Sequence, residues 1–116
     1  MTRLATTSFL FGSCLVLLLA LVPIAGAQDK PVEVPVTLEQ QKFTPEEVKV
    51  KAGQPFLLVI TNKDAKPAEV ESKDLRFEKV VAPGKTVSIR VRALKPGTYV
   101  FLDDYNKSTR GKIVAE

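Results

Sequence analysis

The chain has 116 residues, a net charge of +4, no histidine, no tryptophan, one cysteine and one methionine. That length sets a single domain as the expectation. Without histidine no Ser-His or Cys-His dyad can form, and the slight, dispersed positive charge argues against a nucleic-acid partner.

The first 27 residues read as a secretory signal peptide. Arg3 supplies the positive start, Leu15 to Leu21 the apolar core, and Ala25-Gly26-Ala27 a small-residue cleavage site before Gln28. A membrane anchor fits less well, because Pro23 interrupts an apolar run already shorter than the ~20 residues a span needs. Phe11-Gly12-Ser13-Cys14 loosely resembles a lipidation box, but here the most apolar stretch follows the cysteine instead of preceding it. Cleavage after Ala27 leaves 89 residues with no Cys, His, Met or Trp, and with 16 Lys and Arg against 13 Asp and Glu. An exported domain of that size without disulfides depends on its hydrophobic core.

Residues 28 to 31 form a lead. Val32, Val34, Val36 and Leu38 alternate, which predicts a half-buried strand, and Pro35 within it predicts a sheet edge. Phe43 to Glu47 reads as a turn. Val48 to Lys51 alternates again, and Phe56 to Thr61 (FLLVIT) predicts a buried strand. Asn62 to Pro67 is a polar loop. Ala68 to Lys73, with Val70 its only strong apolar residue, reads as irregular or a weak strand. Leu75 to Val81 alternates, Ala82 to Lys85 turns, and Val87, Ile89 and Val91 alternate with polar residues. After the turn Leu94 to Gly97 come a strand Thr98 to Leu102, a polar loop, and a strand Lys112 to Ala115. About seven short strands and no amphipathic helix predict an all-β Greek-key sandwich. Lys49, Lys51, Arg90 and Arg92 read as its solvated face.

Val48 to Ile60 (VKVKAGQPFLLVI), Ala82-Pro83-Gly84 and Pro96-Gly97-Thr98-Tyr99-Val100-Phe101 resemble the cupredoxins, the small blue-copper sandwiches. The resemblance covers nearly all of residues 28–116. It implies a metal site of two His, one Cys and a weak axial Met. Carried over, the first His falls on Ala68, the Cys on Asp103 and the second His on Asn106, and no Met follows. A type 1 copper site is therefore not expected, since neither thiolate nor imidazole is available.

Pro67 to Leu75, Glu78-Lys79 and the Asp104-Tyr105 pair followed by Thr109 and Gly111 are similar to periplasmic cupredoxin-like proteins associated with bacterial high-affinity iron permeases. This resemblance implies an accessory or binding role in iron uptake with a permease as partner. It also implies histidines where this chain has Asn106 and Lys73. Glu71-Ser72 and Glu78-Lys79 are expected to fix loop geometry.

The sandwich predicts that the loops Ala68 to Asp74 and Asp103 to Arg110 meet at one end. Glu69, Glu71, Asp103, Asp104 and Asn106, with Asp74 and Tyr105 nearby, are then candidate ligands of an oxygen-only site for iron or another hard cation. The alternative is a surface of ion pairs, with Lys63, Lys66, Lys73, Lys107 and Arg110 neutralising the acids. A metal-free structural or interaction sandwich is the third reading.

Overall fold

The turn signals Ala82-Pro83-Gly84 and Lys95-Pro96 fall between strands, and so does Ala52-Gly53. The computed structural model describes Thr2, Gly12 and Lys30 to Glu116. The rest of the expected leader, its cleavage site and Cys14 lie outside the described residues. Nine strands follow: β1 (Val32–Glu39), β2 (Lys42–Thr44), β3 (Glu47–Val50), β4 (Phe56–Asn62), β5 (Ala68–Ser72), β6 (Phe77–Val81), β7 (Thr86–Val91), β8 (Gly97–Asp103) and β9 (Asn106–Ala115). They form a four-stranded sheet in the order β2-β1-β4-β7 and a five-stranded sheet in the order β3-β9-β8-β5-β6. β1 runs parallel to β4 and β3 parallel to β9; the other pairs are antiparallel. The described residues contain no helix.

The core is what period two dictates. Val36 and Leu38 of β1, Phe56, Leu58 and Ile60 of β4, and Ile89 and Val91 of β7 face Val70 of β5, Phe101 of β8 and Ile113 of β9 in one buried cluster. Phe43 and Phe101 pack edge to face, with ring centroids 4.8 Å apart and planes at 64°. Lys49, Lys51, Arg90 and Arg92 are exposed, as a solvated face requires. β2 reaches only Thr37 to Glu39 of β1, so Pro35 sits on an open edge where its missing N–H costs no ladder bond.

Three expectations need correcting. Phe43 and Thr44 are not a turn but most of β2, which carries the fully buried Phe43 into the core. Ala68 to Ser72 is a regular strand whose inward positions are Ala68, Val70 and Ser72, exposed by no more than 2%. The polar loop after Asp103 is only the two-residue turn Asp104-Tyr105; β9 begins at Asn106 and runs ten residues. Its inward positions are Thr109, Gly111, Ile113 and Ala115, and Gly111 lies directly opposite Phe101, whose ring covers it.

Side chains extend the pairing where the backbone ladder ends. The Ser72 hydroxyl donates to the Val100 carbonyl at 2.7 Å, and the Val100 N–H donates to Asp74 Oδ2 at 3.0 Å. The Leu75 N–H donates to Ser72 Oγ at 3.2 Å. Ser72 and Asp74 thereby bind both backbone groups of Val100 and hold the Lys73 to Arg76 turn against β8. The loop-fixing role expected of Glu71-Ser72 and Glu78-Lys79 thus falls to Ser72 and Asp74. At the start of β8 the Tyr99 hydroxyl donates to the Lys95 carbonyl at 2.7 Å, fixing the corner before the strand.

Candidate functional site at the β4–β5, β8–β9 end

Three connections meet at one end of the sandwich: the β1–β2 turn at Gln40-Gln41, the β4–β5 loop at Lys63 to Pro67, and the β8–β9 turn at Asp104-Tyr105. A cleft of about 510 Å³ opens among them, and Ala68, Asp103 and Asn106 all line it. The three positions singled out in the sequence are therefore brought together.

Their side chains are committed elsewhere. Ala68 is 1% exposed and offers only a methyl group. Asp103 is buried, and its Oδ1 accepts two backbone N–H groups, from Glu69 and from Tyr105, each at 3.0 Å. The bond to Tyr105, two residues on, is the local turn that aspartate favours. Asn106 Nδ2 donates to Gln41 Oε1 at 3.1 Å, while its Oδ1 accepts from the Ser108 hydroxyl at 2.7 Å. Next to it Thr109, also buried, donates to the Gln41 carbonyl at 2.7 Å.

The other candidate carboxylates point onto a different surface. Glu69 and Glu71 alternate with the buried residues of β5 and so lie on the outer face of the five-stranded sheet. Glu71 is directly opposite Glu78 of β6. Asp104 forms a 3.7 Å ion pair with Lys107, and Asp74, at the far end of β5, accepts from Val100. Among the described residues, no three His, Cys, Asp or Glu side chains are placed together to hold a metal ion. The expected mesh of ion pairs is thin as well. Of Lys63, Lys66, Lys73, Lys107 and Arg110, only Lys107 pairs with an acid among the described residues, and a pair so exposed contributes little.

On the outer face the acids crowd one another. The Glu78 carboxyl is raised above the ordinary carboxylate range, first by hydrogen bonding with Glu69, then by the charge of Glu69, with burial, Glu71 and Asp104 adding. The Tyr105 phenol is raised too, first by its hydrogen bond with Glu69 and then by burial. A carboxyl whose folded pKa is raised holds its proton in the native state at a pH where the unfolded chain has released it. Stability therefore falls as pH rises from the ordinary carboxylate pKa through the raised value. Glu78→Gln is expected to remove that fall, giving a flatter melting-temperature profile as pH rises above the ordinary carboxylate range. Melts taken through that rise check it; an unchanged slope would mean that Glu78 is not the titrating group.

Residues that sequence reasoning passed over complete the end. Asn62 is fully buried; its Nδ2 donates to the Lys66 carbonyl at 2.8 Å and the Val81 carbonyl at 3.1 Å, and its Oδ1 accepts from the Asp64 N–H at 3.0 Å. Asp64 in turn accepts from the backbone N–H groups of Gln40 and Gln41, at 2.6 and 2.9 Å. Asn62-Lys63-Asp64 carries the local signal for this, an Asn whose side chain caps the N–H two residues on. Nothing local in Gln41 or Thr109 announces their pairing.

A family model for the cupredoxin-like domain matches residues 12–115. The chain belongs to the cupredoxin-like family. This cupredoxin-like protein is 37% identical over 81 residues to an uncharacterized protein of Rickettsia prowazekii (strain Madrid E), a match over 70% of this chain and 65% of that one. The chain thus spans a little under two-thirds of the length of that relative. Auracyanin A, a "blue" copper protein from Chloroflexus aurantiacus, superposes with a TM-score of 0.64 at 17% identity, over 75% of this chain and 100% of its own. The metal binding domain of the Streptococcus pneumoniae Cu(I) exporting P-type ATPase gives a TM-score of 0.64 at 13% identity, over 72% of this chain and 84% of its own. At such identities the structural likeness shows the fold alone.

Copper is the ion this fold usually binds, and the residues of this cupredoxin-like domain do not fit it. A type 1 centre requires a thiolate and imidazoles. The three positions present a methyl group, a carboxylate with one oxygen taken by two backbone donors, and an amide occupied on both sides.

Proposed function

We propose that this is an exported accessory protein of a periplasmic metal-uptake system, iron being the metal. It acts by docking to a permease or another periplasmic partner and not by carrying type 1 copper. One observation carries the reading: Ala68, Asp103 and Asn106 line the cleft of a cupredoxin-like domain with no free donor set among them. The likeness of Pro67 to Leu75 and of the Asp104-Tyr105 turn to iron-permease-associated proteins supplies the choice of metal. The absence of histidine and of any thiol after residue 14 supports binding over catalysis.

Crowding of Glu69, Glu71, Glu78 and Asp104 favours a second reading, in which carboxylates hold a hard cation on the outer face. Calorimetric titration of the purified exported protein with Fe²⁺, Mn²⁺ and Cu²⁺ separates the two. No saturable heat is expected. Stoichiometric binding of Fe²⁺ or Mn²⁺ that is lost in Glu69→Gln would replace the docking reading with the carboxylate one. Genes for a permease or an iron-binding companion are expected beside this one, and their absence would count against the uptake role.

A further inference from the structure

We infer that a closed circuit of hydrogen bonds at this end of the sandwich does the cross-linking that a bound ion gives a metal-holding site, so the cleft keeps its shape with no ion present. The inference rests on the reading that Ala68, Asp103 and Asn106 hold no metal.

The circuit can be followed from connection to connection. Asp64 of the β4–β5 loop takes the N–H groups of Gln40 and Gln41, which ties that loop to the β1–β2 turn. Asn106 and Thr109 of β9 donate to the side chain and the carbonyl of Gln41, which ties the turn to the β8–β9 hairpin. Asp103 takes the Glu69 N–H, and the Asp104 N–H donates to the Glu69 carbonyl at 2.8 Å, which ties the hairpin back to β5 where it leaves the β4–β5 loop. The circuit encloses the cleft.

Two further observations indicate that it is self-sufficient. Gln40 and Gln41 form the two-residue turn between Glu39 and Lys42 with φ of 52° and 60°, the type I′ geometry of such a hairpin, here without the Asn or Gly that usually occupies it; Asp64 and Gln41's two partners on β9 hold that turn in place. Second, no buried side-chain nitrogen or oxygen among the described residues lacks a hydrogen-bond partner. Of the carboxylate and amide atoms at the three positions, Asp103 Oδ1 and both polar atoms of Asn106 are bound within the protein, which leaves one Asp103 oxygen, too few to hold an ion.

A double-mutant cycle on the purified exported protein tests the inference. Asp64 and Asp103 share no partner, so as independent sites their effects should add. In a closed circuit, opening one link loosens the next, and the second opening costs less. The combined effect of Asp64→Ala and Asp103→Ala on the unfolding constant is expected to be about tenfold smaller than the product of the two single effects. Tyr99→Phe, at the opposite end of β8, should combine with Asp103→Ala additively. If the alanine pair does not fold, Asp64→Asn with Asp103→Asn reads the same coupling. Additivity within about twofold for the Asp64 and Asp103 pair overturns the circuit. A melting temperature lowered by EDTA, or raised by Cu²⁺ or Fe²⁺ in the parent but not in Asp103→Asn, overturns the claim that no ion is needed. A rise that persists in Asp103→Asn and is lost in Glu69→Gln places the ion on the outer face, which refutes the proposed function and leaves the circuit standing, so the two failures are distinguishable.

Discussion

Gly111→Ala is expected to cost about 3 kcal/mol or more, a large share of the roughly 5–15 kcal/mol that holds a domain together. A methyl group built on Gly111 overlaps the Phe101 ring at three of its atoms. The ring has nowhere to retreat, since it is fully buried and stands edge-on against Phe43 at 4.8 Å. The backbone of Gly111 needs no unusual conformation; the requirement is space alone. Relief must therefore come from the ring, and Gly111→Ala combined with Phe101→Leu is expected to recover part of the loss. Urea denaturation of the three variants checks this, and a Gly111→Ala midpoint within about 0.3 M of the parent would show that the sheet flexes to accommodate the methyl.

Asn62→Ala should have the next largest effect, about 3 kcal/mol. The substitution strands the Lys66 and Val81 carbonyls and the Asp64 N–H, and it leaves a void where a fully buried side chain stood. For a domain of this size the melting temperature should drop by roughly 15 °C. A loss below about 1 kcal/mol would mean that water enters and satisfies all three groups. Asn62 sits at the end of β4, so the damage should spread first into the β4–β5 loop, and amide exchange at Asp64 to Lys66 should rise before exchange in the core strands does.

The strands with large apolar residues at every second position were legible in the sequence. Val32 to Leu38 and Phe56 to Thr61 declare their buried faces through valine, leucine and isoleucine, and the sandwich follows from repeating that pattern. β2, at three residues, is too short to show a period, and β5 and the first half of β9, faint or absent in the pattern, bury small or polar residues. β5 turns Ala68 and Ser72 inward, and the first half of β9 turns Thr109 and Gly111 inward, with the Phe101 ring covering Gly111. A period-two count weighted by hydrophobicity scores such positions as loop. The same blindness shaped the reading of the site. Asp103 looked like an available ligand because aspartate in a polar run is ordinarily solvated. That it turns inward to meet the Glu69 N–H depends on β5 lying beside it, a contact 34 residues away in the chain. Position alone marked Ala68, Asp103 and Asn106 as neighbours, and the structure agrees; what their atoms are doing was written in Gln41, Glu69 and Ser108.

The parallel pairing of β3 with β9 has a consequence for how the chain is made. Val48 meets Ile113, roughly 65 positions further on, and the last residue reaches back: the Glu116 N–H donates to the Val50 carbonyl and the Ala52 N–H to the Glu116 carbonyl, both at 3.1 Å. β3 is among the first strands synthesised, yet its only backbone partner is the last. Until Lys112 to Glu116 have emerged, one edge of the five-stranded sheet cannot form and Val48 and Val50 stay in water. Closure of so long a loop is slow, and it makes folding of that edge wait until β9 has been synthesised.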